Sequence, residues 1–281
     1  MVIKNIKNKY LLLIIILLLI LIGYILNNTI SAYLYILNDK SILNNIHINS
    51  NKTAQYAEYN YKIDGKWLHH INNINDAKLF QDKSKAYELD VTFIDNALFI
   101  SHDMSEFNAG VTLQDYLAAF DNLNGRKFWF DLKNINTQNY KLFINLLNYA
   151  VENTNNGLLK KSDIIVEISD LEVLKLVYNM IKHDNTRYNL SWYFTGIDLS
   201  DKNKAVSIIN NYINQVDEYF FDYISSDIKY YKVIEKAFPN MKKLVWYTGG
   251  CIIERKYKRM LLYNYVSKNK NTAVTLYPLC K

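Results

Sequence analysis

The sequence predicts an α/β protein, a (β/α)8 TIM barrel preceded by one N-terminal transmembrane helix. Three observations carry that expectation. Eight short runs rich in β-branched and aromatic residues lie between residues 66 and 278, segments of helical period separate them, and a basic stretch followed by a long apolar run stands ahead of them all. Eight is the number of parallel strands that closes into a barrel. An open doubly wound sheet is the alternative, disfavoured because no Gly-rich phosphate loop follows any of the runs.

Taken in order, "MVIKNIKNKY" carries Lys4, Lys7 and Lys9, and "LLLIIILLLILIGYIL" after it is uncharged and near the lower length limit for a membrane span. Residues 1–9 read as a cytoplasmic basic segment and 10–27 as the anchor. The following "NNTISAY" offers only a poor small-residue cleavage site ending at Ala32, so an uncleaved anchor is expected in preference to a removed signal. That makes a single-pass membrane protein with its barrel on the extracytoplasmic side. Residues 28–64, polar and Asn-rich without long periodicity, read as a stalk and lead-in, and 65–281 as the barrel domain.

The eight expected strands are 66–71, 86–93, 127–132, 163–169, 190–195, 218–224, 243–248 and 272–278. Helix-start signals sit between them: Thr112 with Asp115, and Ser169 with Glu172, each pair able to satisfy free amides at a helix N-terminus. Half of the formal charge of +6 belongs to Lys4, Lys7 and Lys9, and the other basic residues are scattered apart from "ERKYKRM", which reads as the solvated face of a helix. This argues against a nucleic-acid partner.

In a barrel of this kind functional side chains sit at the C-terminal ends of the strands. Those ends hold His69 and His70, Glu88 and Asp90, Asp131 and Lys133, Glu167, Asp198, Asp222 and Trp246. Glu88 and Asp90 are two apart and therefore share a face of their strand. After them "IDNA" reads as a hairpin turn and "LFISHD" as a returning strand; a turn centred between Asp95 and Asn96 brings His102 back opposite residue 89. Carboxylates so close repel unless one is protonated or a cation lies between them. With Asp131 they suit a hard divalent cation, Mg²⁺ first and Ca²⁺ also fitting. A cation, Lys133 and two histidines are a device for cleaving a phosphate diester: two groups hold the anionic oxygens while one histidine takes a proton and the other gives one.

These residues resemble the PLC-like phosphodiesterase superfamily, which includes glycerophosphodiester phosphodiesterases, the spider-venom sphingomyelinase D type and, most similar in motif, the menorin-like proteins. Its His-Arg-Gly, E-x-D and His-Asp stand here in the same order as "WLHHINN", "YELDV" and "FISHD". The menorin-like W-x-H-x-V-N is matched by Trp67, His69, Ile71 and Asn72, and the sphingomyelinase D-x-K by Asp131 and Lys133. The resemblance implies a (β/α)8 barrel, His69 and His102 as the acid and base, Glu88, Asp90 and Asp131 as ligands of Mg²⁺ or a similar ion, and Lys133 as a phosphate contact. His70 stands where the family has Arg, and so inherits a substrate-binding role, and Ile71 stands where it has Gly. The implied activity is a membrane-anchored, metal-dependent phosphodiesterase acting on glycerophosphodiesters or phospholipid headgroups. The alternative is a catalytically silent menorin-like barrel that serves as an extracytoplasmic binding protein.

Cys251 and Cys280 follow strands that would be neighbours, so a rim disulfide is one expectation and two free thiols the other. A glycoside-hydrolase pair built on Glu88 with Asp131 or Glu167 would leave His69, His102 and Lys133 without roles.

Overall fold

The computed structural model describes residues 2–36, 40–47, 67–103, 110–154, 158–184, 186–216, 220–247, 253–269 and 271–278. Among these residues nine strands form one sheet. Eight are parallel: β1 (Trp67–His69), β2 (Ala86–Ile94), β4 (Lys127–Lys133), β5 (Ile164–Ile168), β6 (Asn189–Tyr193), β7 (Tyr223–Asp227), β8 (Lys242–Trp246) and β9 (Thr272–Pro278). Pairing of β1 with both β2 and β9 closes them into a barrel. β3 (Ala97–Ile100) runs antiparallel to β2 and lies outside the ring.

Helices follow the strands on the outside: α3 (Ile74–Phe80), α4 (Leu113–Ala118), α5 (Tyr140–Glu152), α6 (Leu171–Ile181), α7 (Lys202–Gln215), α8 (Tyr231–Ala237) and α9 (Ile253–Val266). Thr112 caps α4 as expected, its hydroxyl accepting from Asp115 N and donating to the Asp115 carboxylate. α6 begins one residue later than expected, because the Asp170 carboxylate accepts from both Glu172 N and Val173 N and takes the capping role from Ser169.

The two-residue period of the strands sorts the core into two shells. Tyr87, Leu89 and Val91 on β2 and Phe128, Phe130 and Leu132 on β4 face outward into the layer shared with the helices. The alternate positions turn inward, where Trp67, Trp129, Ile165, Tyr223, Leu244 and Leu276 fill the barrel. The same alternation puts Glu88 and Asp90, and Asp131 and Lys133, on the inner face above that plug. Trp246 belongs to the plug, its ring 5.8 Å from Trp129 and 5.1 Å from Tyr193.

One strand is displaced from its expected place. β7 spans Tyr223–Asp227 instead of 218–224, because Phe220 and Phe221 pack in the outer core near Trp192 while the strand itself uses Ser225 and Ser226, both fully buried. Small polar residues inside a strand carry no apolar signal. As a result Asp222 precedes its strand and lies at the floor of the barrel, the end formed by the strand N-termini. There it accepts two bonds from Arg187 at 2.7 Å each and one from Leu190 N.

The N-terminal helix also differs from the expected division. α1 runs unbroken over Val2–Ile36, past residue 27, with Asn28 and Thr29 side chains bonding back to Tyr24 O and Ile25 O. A short α2 (Lys40–Asn45) then packs on α7 and α8, with Ile42 and Ile46 entering the main core. Of the segment expected as stalk, residues 28–36 and 40–45 are therefore helical and in part built into the barrel wall; 37–39 and 48–66 lie outside the described residues. In the basic cluster, Lys258 donates to Ser31 Oγ and Arg259 is buried, so these two do not form a solvated face. Cys251 and Cys280, with the expected disulfide, lie outside the described residues.

Candidate active site

The mouth of the barrel, where the strands end, is built by three adjacent strands and the appended hairpin. β2 pairs with β4 so that Asp90 lies directly opposite Asp131, and β4 pairs with β5 so that Asp131 lies opposite Glu167. Partners in register point to the same side of a sheet, so three carboxylates stand side by side across the inner wall. Glu88 joins them from one inward position lower on β2. Oxygen atoms of Glu88, Asp90 and Asp131 all lie within 4.8 Å of one another.

β1 ends at this cluster. His69 Nε2 is 3.6 Å from Glu88 Oε2, and His70 Nε2 is 3.1 Å from Asp90 Oδ2. His70 has φ +60°, a left-handed conformation that costs a side-chain-bearing residue energy but aims its amide at Glu88 Oε2, 2.6 Å away. Asn72 holds Asp90 from two directions: its Nδ2 donates to Asp90 Oδ2 at 2.6 Å, and its Oδ1 accepts from Asp90 N at 3.0 Å.

The hairpin supplies the other histidine. Asp95 and Asn96 both have positive φ, the two-residue turn that matches strand twist, and the pairs Val91–Ile100 and Thr92–Phe99 set the register expected from the sequence. Ser101 N accordingly reaches Asp90 O at 3.2 Å. His102 is thus delivered to the mouth, its ring centre 6.2 Å from that of His70, half exposed, with Nδ1 3.5 Å from Asp103. A cavity of about 380 Å³ opens between the hairpin and the β1–α3 loop, lined by His70, Asn72, Ile74, Ser101 and His102 among others.

The electrostatics are strained. Burial, with Asp90 and Asp131 nearby, pushes the Glu88 carboxyl well above the usual range, and burial raises Asp131 despite Lys133. Burial would raise Asp90 as well, but bonds from His70, Lys133 and Asn72 outweigh it and hold Asp90 well below. Lys133 donates to Asp131 and lies 2.9 Å from Asp90, and these two partners overcome its burial and raise it. Burial, with His70 beside it, lowers His69 to about 4, so it is neutral at physiological pH.

The donor set fits a divalent cation. It offers only oxygen, as hard ions require, and a double positive charge among Glu88, Asp90 and Asp131 removes the repulsion and desolvation that now keep two of them raised.

Sequence reasoning left two residues without their place here. Asn72 was matched as part of a motif, but its clamp on Asp90 depends on the loop after β1 folding back over β2. Glu167 is 2% exposed, one of its oxygens lacks a partner among the described residues, and burial beside Asp131 pushes it well up. A glutamate embedded in the apolar run "IIVEIS" was the available signal. Of the other strand-end candidates, Asp198 is exposed in the β6–α7 loop and caps Ser200 N, and Asp222 is at the opposite end of the barrel.

No family model matches the sequence, and no curated protein does. The structure is similar to the crystal structure of a glycerophosphodiester phosphodiesterase from Parabacteroides distasonis, with 13% sequence identity and a TM-score of 0.50 over 76% of this chain and 92% of that one. The two share a closed barrel of eight parallel strands surrounded by helices. At this identity the likeness concerns the barrel alone and does not select the menorin-like or any other subgroup.

Proposed function

We propose that the chain is a divalent-cation-dependent phosphodiesterase. The observation that carries this is the meeting of three carboxylates, Lys133 and the histidines of two separate hairpin and strand ends at one mouth. Glu88, Asp90 and Asp131 would hold the cation, Mg²⁺ before Ca²⁺, and a bound cation would polarise the phosphoryl oxygens. Asn72 orients Asp90, and His70 steadies Glu88 through its backbone amide. Lys133 and His70 face the anionic oxygens of the diester. His69, neutral at physiological pH, takes the proton from the attacking hydroxyl, whether of water or of the substrate itself. As that oxygen bonds to phosphorus, the bond to the leaving oxygen breaks and His102 supplies its proton.

The substrates proposed are glycerophosphodiesters and phospholipid headgroups, at the outer face of a membrane held through α1. The test uses the full chain in nanodiscs, stripped of metal and resupplied with Mg²⁺, Ca²⁺ or Mn²⁺, against glycerophosphodiesters, lysophospholipids and sphingomyelin. Metal-dependent turnover lost in His69→Ala and in Glu88→Ala supports the reading. Absence of turnover from well-folded chain on every substrate would make it a binding barrel instead.

A further inference from the structure

Helix α1 changes character along its length. Leu13–Ala32 is apolar and long enough to cross a bilayer, and from Leu13 to Leu26 its residues are exposed. The helix then docks without a break: Ser31 Oγ accepts from Lys258 Nζ at 3.0 Å, and Ala32, 3% exposed, packs in a cluster with Ile228, Tyr231, Val245 and Tyr263.

The neighbours of this dock fix the direction of approach. Ile228 lies in the 3-10 turn directly after the C-terminal end of β7, and Tyr231 opens α8, so Ala32 enters the wall near the mouth. From there the chain descends. Leu43 O accepts from Lys236 in the last turn of α8, near the floor, and Asn45 O and His47 N bond to Asn210 in the second half of α7. Residue numbers therefore increase from mouth to floor along this side. Had the preceding part of α1 run toward the floor, it would lie along the lower half of α9, where Leu262 and Val266 continue the wall, and would be covered there. Its residues are exposed instead, so the helix leaves on the mouth side. Ile30 and Leu34, at the level of the dock, are themselves 58% and 65% exposed, so the apolar surface extends down to the rim.

We propose that α1 is a rigid strut that holds the mouth of the barrel against the bilayer, so that the acidic site receives phosphodiesters of lipid headgroups from the membrane surface. The orientation stands by itself; the substrate class rests on the proposed phosphodiesterase activity. The dock also makes the end of α1 part of the fold, since cleavage after Ala32 would cut the chain at a packed residue.

Two experiments separate these claims. A photoreactive benzophenone side chain is placed at Asp198 on the rim and, in a second protein, at Asn122 in the turn before β4 at the floor, each in the full chain in nanodiscs of phosphatidylethanolamine and phosphatidylglycerol. Lipid adducts at position 198 in clear excess over 122 are expected; equal adducts, adducts mainly at 122, or none at either would overturn the orientation, and catalysis is not needed for the readout. In the second, a flexible six-residue Gly-Ser segment is inserted after Asn28. Hydrolysis of bilayer lipid is expected to fall about tenfold or more as the barrel loses its fixed placement, with hydrolysis of a water-soluble diester unchanged. Unchanged lipid hydrolysis, or equal loss on both substrates, would overturn the assignment to membrane lipid. If the parent chain hydrolyses neither substrate while position 198 still captures lipid, the phosphodiesterase reading fails and the strut stands.

Discussion

At the floor of the barrel, cations that are buried or partly so each have acceptors of their own. Arg126 donates to the Gln81 and Ser84 carbonyls and to Tyr87 Oη, Arg187 forks onto Asp222, and Lys243 reaches the Phe238 and Met241 carbonyls. At the mouth, Glu88, Asp90, Asp131 and Glu167 crowd together around Lys133, three of them raised by burial and by like charge, and one oxygen of Glu167 has no partner among the described residues. Polar groups satisfied inside the protein hold its loops to its strands. Groups that conflict with one another are stable only because the fold over-determines them, and they mark where a ligand completes the arrangement.

That contrast predicts opposite responses to substitution. The largest effect belongs to the mouth: His69→Ala should lower kcat by about 10²–10⁴-fold, the ordinary range for a proton-transfer residue, with the urea midpoint unchanged. A matching loss of stability would place His69 with the floor residues.

Arg126→Ala should do the reverse. It removes the bonds that one buried cation makes to residues 81–87, at Gln81, Ser84 and Tyr87, and to Asn122 O, and should cost about 3 kcal/mol in urea unfolding, while turnover per folded molecule is retained. Loss of activity at full stability would break the division.

Lys243 sharpens it through pH. Burial lowers its ammonium from 10.5 to about 8. Between those values the unfolded chain keeps a proton that the folded chain has released, so stability should rise with pH, by up to about 3 kcal/mol. Above pH 10 the trend should turn, because burial raises Tyr87 and Tyr231 to about 12 and the unfolded chain ionises first. Thermal unfolding from pH 7 to 11 measures both limbs, and Lys243→Met should abolish only the rising one.

The smallest effect is the most diagnostic. Glu88→Gln relieves like-charge crowding and should stabilise the metal-free chain by about 1 kcal/mol, yet remove the rise in Tm that Mg²⁺ or Mn²⁺ gives the parent. Destabilisation without added metal would show that Glu88 is a structural partner of His70 and not a member of a cation site.

Much of the mouth is legible in the sequence. The Asp95–Asn96 turn and the alternation around it set the hairpin register, and the two-residue spacings in "ELD" and "DLK" put each pair on the inner face. What escaped depended on signals that apolar periodicity does not carry. Ser225 and Ser226 conceal β7, which misplaced Asp222 from floor to mouth. Ile42 and Ile46, four apart in an Asn-rich stretch, dock a short helix that composition presents as linker. The Asn72–Asp90 clamp needs a loop to fold back, and only pairing between strands shows that Glu167 stands level with Asp131.

The hairpin has a further consequence for how such a protein can change. The carboxylates ride on β2 and β4, whose pairing also closes the ring, whereas His102 arrives on β3, which the ring does not need. Most of the site is therefore tied to the integrity of the barrel, and one histidine is carried on a detachable appendage. A lineage could exchange that appendage and trade one chemistry for another, or for mere recognition, while the charged cradle beneath it is inherited intact.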